Sequence, residues 1–277
     1  MKKLSPIDLS YLNQEQWLAM PLNLIRFDLK KHWVWDCLNI VKEELREKNI
    51  KPFFHTWVSD EWFCPDGCPG IAIPFYLFHP TFIKLLKKSG LNVEGINKKQ
   101  ALMLIRHEIG HAIENAWRLR RKRQRQKLFG SSTTPYPNIY KPNLESTDYV
   151  HHLEGHYSQA HPDEDWAETF AVWLSTPKKT WTNKYKKTLA LSKLEYCDSI
   201  MQEIAGTKPI NSEKFVVDPI TDSKGTIADF IESSKKRQLR TITKVVKIQK
   251  ISPKKLTPDI LIQAKQMLIN ENIGILM

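Results

Sequence analysis

The chain of 277 residues is 41% hydrophobic and 10% aromatic, enough for one large core or two modest ones, which excludes intrinsic disorder of the whole. With 10 glycines, 16 prolines and no internal period, collagen-like, low-complexity and repeat architectures are excluded as well. The formal charge of +12 is unevenly placed: residues 118–127 carry seven basic side chains and no acid, and residues 234–277 carry ten basic and two acidic ones, so taking +7 and +8 from the total leaves the rest at −3. Two basic appendages on a near-neutral body suit an anionic partner such as nucleic acid; the plainer alternative is a solvated helix face and a solubilising tail.

No window offers about 18 uninterrupted apolar residues, and Met1-Lys2-Lys3 runs into Ser5, Pro6 and Asp8 where a signal peptide needs an apolar stretch, so no membrane association is expected. Cys37, Cys64, Cys68 and Cys197 are too few for a disulfide framework in a chain of this length, and the expected setting is the cytoplasm.

In chain order, apolar spacings of three and four predict helix over Pro21 to Leu29 and again over Trp33 to Leu45. Phe53 to Phe82 changes texture: short β-prone runs, among them Ile71 to Leu77, are separated by Pro65-Asp66-Gly67 and Pro69-Gly70, which predicts a small sheet. Asn97 with Gln100 three residues on forms a capping-box pattern and opens a long helix through Trp117. Residues 129–160, with Pro135, Pro137 and Pro142, form a long irregular excursion of the kind that serves a function or moves. Pro162 and the acids after it start a helix that ends before Pro177, and a further helix is expected from Trp181 to Ile204. Beyond Gly206 come a β-prone run from Thr241 to Ile251 and a last helix from Pro258 to Asn270, so a boundary is placed there: a domain over 1–206 and a basic C-terminal extension over 207–277.

The helix opened by Asn97 carries His107-Glu108-Ile109-Gly110-His111. Residues i and i+4 share a helix face, so two imidazoles can grip one metal ion while the Glu beside the first points at a metal-bound water. Gly110 leaves room for a strand or substrate to come close. A catalytic zinc keeps three protein ligands and one open position, so a third ligand is required. The metzincin arrangement, with Gly and His three and six residues after His111, is absent, since Glu114 and Trp117 stand there. Downstream candidates are His151, His152, Glu154, His156, His161, Glu164 and Glu168. Glu164 and Glu168 are four apart beside the apolar stripe of Ala167, Phe170, Ala171 and Leu174, so both carboxylates can turn inward, which is costly without a cation. His151, His152 and His156 could instead be plain loop histidines, and Cys64 and Cys68 two turn cysteines, since no second closely spaced cysteine pair completes a metal site.

The strings Arg106 to Ala112 and His161 to Ala171 resemble the gluzincin metallopeptidases, and in particular a bacterial family of zinc-binding metallopeptidases, over roughly residues 50–205. The resemblance implies an α+β, helix-rich zincin-like fold with a small sheet, Zn2+ held by His107, His111 and Glu164, and Glu168 orienting a ligand histidine. Some members of the wider group place a Tyr seven residues before the ligand Glu, a position held here by Tyr157. It then implies hydrolysis of a polypeptide substrate, with Glu108 as general base and Tyr157 as a donor to the developing oxyanion. Two alternatives stand beside this: a protease recruited to nucleic acid through residues 118–127 and 234–277, and a zincin-shaped binding or scaffold protein without turnover, for which the presence of Glu108 would have no purpose.

Overall fold

The structure, a computed structural model, describes residues 12–137, 139–248 and 274–275. It is α+β and helix-rich: α1 (Gln14–Leu18), α2 (Trp33–Glu47), α3 (Pro80–Lys88), α4 (Lys98–Trp117), α5 (Arg123–Phe129), α6 (Pro162–Ser175), α7 (Lys178–Lys184), α8 (Leu189–Ile204) and α9 (Ile227–Ile248) surround a parallel pair, β1 (His55–Ser59) and β2 (Gly70–Pro74), joined in register from His55 opposite Gly70 to Ser59 opposite Pro74. A second short pairing, antiparallel, joins β3 (Ile139–Tyr140) to β4 (Gly274–Ile275). Among the described residues no helix is long and apolar enough to cross a membrane.

Helix α4 is the axis of the molecule. The Asn97 side chain accepts from Gln100 N at 3.0 Å, satisfying one of the free N–H groups of the first turn. Every residue from His107 to Trp117 is buried, because α2, β2 and α6 enclose the C-terminal half of the helix. Against α6 the approach is very close. A Cβ on Gly110 would lie 2.8 Å from Ala167 Cα, and the Trp166 indole donates to Gly110 O at 2.8 Å, so Gly110 serves helix against helix rather than a strand or substrate. Beyond it, buried Arg125 donates to Glu114 and Asp163, both at 2.7 Å, and Arg120 reaches Glu114 at 3.1 Å, clamping α4, α5 and the start of α6.

Several expectations fail for identifiable reasons. Pro21 to Leu29 is not an α-helix but holds single 3₁₀ turns at Leu22–Leu24 and Leu29–Lys31, because its backbone pairs elsewhere: Leu22 N donates to Gly225 O at 3.0 Å and Ile227 N to Met20 O at 3.1 Å. Phe75 to Leu77 leaves the sheet after Pro74 and winds into a 3₁₀ turn. The helix expected from Trp181 to Ile204 is two, α7 and α8, broken where Lys187 adopts φ 64° and Thr188 caps α8 by accepting from Leu191 N at 3.2 Å. The run from Thr241 is helical as far as Ile248, continuing α9, whose start is fixed by Thr226 N donating to Asp229 Oδ2 (2.8 Å) and Asp229 N to Thr226 Oγ1 (3.2 Å). Helix propagation outweighs the mild β preference of branched residues there. Residues 249–251 and the helix expected over Pro258 to Asn270 lie outside the described residues.

After α8 the chain returns to the body. Trp57 Nε1 donates to Val217 O at 2.9 Å, Asn211 N to Ala116 O at 2.8 Å, and Phe230 of α9 meets Phe75 edge to face at 5.0 Å.

Candidate metal centre

His107 and His111 lie one turn apart on α4, and Glu164 projects from the first turn of α6 opposite them. His107 Nε2 and His111 Nε2 are 3.2 Å apart, and Glu164 Oε2 stands 3.0 Å from the first and 3.4 Å from the second. Among the described residues these three form the one grouping of His, Cys, Asp or Glu side chains able to share a metal ion. Glu164 Oε2 is buried and has no hydrogen-bond partner, although two imidazole nitrogens stand within 3.4 Å of it. A buried orphan oxygen facing two imidazoles is expensive unless a cation sits between them, and two nitrogens plus one carboxylate oxygen is a donor set that zinc accepts.

Two of the three side chains, His107 and Glu164, are aimed by a neighbour. His107 Nδ1 stands 2.8 Å from Glu168 Oε1, which fixes the ring with Nε2 toward Glu164. The other oxygen of Glu168 accepts from Leu153 N at 2.7 Å. Glu164 Oε1 accepts from the Tyr136 hydroxyl at 2.9 Å, and the Tyr136 ring stacks on His161 at 3.6 Å. His161 in turn caps α6, accepting from Asp163 N at 3.1 Å.

The electrostatics match this arrangement. Burial alone would raise the Glu164 carboxyl, but His111 and His107 outweigh it and hold it well below the usual carboxylate range. Burial would likewise lower His107, but Glu164 and Glu168 outweigh it and lift it well above an ordinary imidazole. Glu108 is buried beside this set, and that burial pushes its carboxyl upward. It lines a cleft of about 680 Å³ together with His107 and Tyr157. The Tyr157 ring lies 5.6 Å from the His107 ring, and burial, with Glu164 and Glu108 nearby, keeps its phenol well above its ordinary range and so protonated.

The remaining sequence candidates stand apart from the three ligands. His152 Nε2 is 2.9 Å from Met103 O, His151 and His156 pack ring to ring at 4.5 Å, and Glu154 lines the cleft. Cys64 and Cys68 are free thiols; Asn115 donates to Cys68 O at 2.9 Å and holds their turn. Tyr136 is the residue that sequence reasoning missed. The available signal was its place in a long excursion just before the ligand helix, but nothing in its spacing marks it.

Two helices presenting a His-His-Glu set, with the Glu108 carboxylate beside the first histidine, form a site that can hold a metal ion. Residues 97–245, more than half of the chain, match the family described as "Putative zinc-binding metallo-peptidase", and the chain belongs to that family. No curated protein and no solved structure matches it.

Proposed function

We propose that the chain is a gluzincin-type metallopeptidase that hydrolyses peptide bonds, with His107, His111 and Glu164 as the ligands of one zinc ion. The observation that carries the reading is the meeting of His107 Nε2, His111 Nε2 and the orphan Glu164 Oε2, with Glu108 in the adjoining cleft. Zinc bound there supplies a Lewis acid for the scissile carbonyl and lowers the pKa of water toward neutrality. Glu108 takes the proton of the attacking water and passes it to the leaving amine, a task suited to a carboxyl whose pKa burial has raised toward the working pH. Tyr157, held protonated, donates to the oxygen that gains charge. Glu168 keeps the His107 ring from turning, and Tyr136 keeps Glu164 from swinging its second oxygen inward.

The test is Glu108→Gln, which removes a base and no ligand. Zinc content by metal analysis should stay at one ion per chain while cleavage of a quenched-fluorescence peptide mixture drops by at least about 100-fold. Unchanged cleavage by this variant removes Glu108 from the mechanism.

A further inference from the structure

The cleft in front of Glu108 carries a charge opposite to that of the chain. Glu61, Glu94 and Glu154 contribute carboxylates to its walls from three separate segments, and none of the three forms an ion pair with a described residue. The one Lys or Arg among the described lining residues is Arg237 of α9, whose Nη2 is 3.6 Å from Asp60 Oδ2. In a chain of net charge +12, three acids gathered at one concavity are a local reversal of sign. Partial desolvation at the cleft wall raises the Glu94 carboxyl against the opposing pull of His107 and of the Asn92 hydrogen bond, with Glu154 adding to the rise, and it raises the Glu61 carboxyl together with Asp60 against the pull of Arg237. The cleft is therefore a place where a cation is favoured and a further anion is not.

A second observation points to a ligand in the same space. Glu108 is only 7% exposed, faces this cleft, and its carboxylate makes no hydrogen bond to a described residue. The walls also offer apolar surface, Trp62, Leu91 and Phe230 among them, along which an aliphatic stem can lie. The fold's own use of the rim follows the same chemistry, since the cation it seats there is a guanidinium.

We propose that this cleft receives a Lys or Arg side chain of the polypeptide substrate, with Glu94 as the central recognition carboxylate and Glu61 and Glu154 beside it. The proposal rests on the peptidase reading for the word substrate, but binding tests it independently of turnover. The probes are fluorescein-labelled neutral peptides in which a single Lys, norleucine or Glu is moved through each position. Anisotropy is read on the zinc-loaded full-length Glu108→Gln protein, and turnover on the wild type.

At one position the Lys peptide should bind about tenfold tighter than the norleucine peptide, with the gap shrinking as salt rises. Introducing Glu94→Lys in the same background should move the preference toward the Glu peptide; Glu94→Gln and Glu154→Gln, at exposed positions, should shrink the Lys preference should the reversal fold poorly. Equal affinity for Lys and norleucine at every position, or a preference that none of these variants changes, overturns the proposal. A Lys preference in binding with no cleavage by the wild type would sink the peptidase reading and leave the site standing; cleavage without the preference would do the reverse.

Discussion

Tyr136 donates its hydroxyl proton to Glu164 Oε1 at 2.9 Å, and this bond decides which oxygen of the carboxylate faces His107 and His111. Tyr136→Phe removes the bond and keeps the ring stacked on His161. Outer partners of metal ligands typically contribute 10–100-fold in affinity, so zinc affinity in a chelator competition should fall by about that factor. An unchanged affinity would mean that the Tyr136 bond does not set the carboxylate.

Glu164 and Glu168 sit one turn apart on α6 but face different atoms of the histidines. Glu164→Gln should abolish tight zinc binding, whereas Glu168→Gln should weaken it by about 10–100-fold. The same contrast appears in thermal unfolding: zinc at about 100 times its Kd stabilises the wild type by about 2.7 kcal/mol, and chelation should lower its Tm while leaving that of Glu164→Gln unmoved. The opposite order of the two variants would swap the assigned roles by one helical turn.

Gly110→Ala tests the contact between the two helices. In an open helix this change gains about 1 kcal/mol of helix propensity. Here the added carbon meets Ala167 Cα at 2.8 Å and Ala167 O at 3.1 Å, atoms of backbone that cannot turn aside. Overpacking of this kind costs about 1–3 kcal/mol, so the variant should unfold at lower denaturant and bind zinc more weakly as α4 and α6 part. A variant as stable as the wild type, with unaltered zinc affinity, would refute the contact.

Asp198 gives the fold a predictable acid sensitivity. Burial would raise its carboxyl, but hydrogen bonds from Lys178 (2.6 Å) and Trp173 (2.9 Å) hold it below the usual range. A carboxyl depressed on folding adds stability above its unfolded pKa of about 3.9, and that stability is lost as pH falls through the folded value. Asp198→Asn should therefore be less stable than the wild type near pH 6, with the difference closing below about pH 4. Denaturant midpoints taken across that interval would show a parallel offset instead if Asp198 were unimportant.

Helix α4 was legible because its logic is local: the spacing of His107 and His111 and the Asn97 cap need no tertiary information. The inward turn of Glu164 and Glu168 followed from the apolar stripe beside them, and the structure sets both against the histidines. What escaped depends on contacts distant in sequence. Arg120 and Arg125 counted toward a basic surface in the sequence, yet they are counter-ions of Glu114 and Asp163, and only the folded clamp shows this. The 3₁₀ turn at Leu22 was hidden for the same reason, since its backbone partner, Gly225, lies some 200 residues further on. Helix α3 left a local trace that spacing alone did not reveal, His79 accepting from Thr81 N at 3.2 Å ahead of Pro80.

Glu168 spends one oxygen on His107 and the other on the backbone of Leu153, four residues before Tyr157. The carboxylate is thus a linkage between the His107 ring and a segment that lines the cleft. Lifting that segment must either drag Glu168 along or break its bond to Leu153 N, and in both cases the brace on His107 slackens. Movement of the 153–157 segment and turning of the His107 ring are geared together through one carboxylate, so whatever presses that segment down also steadies the ring beneath it.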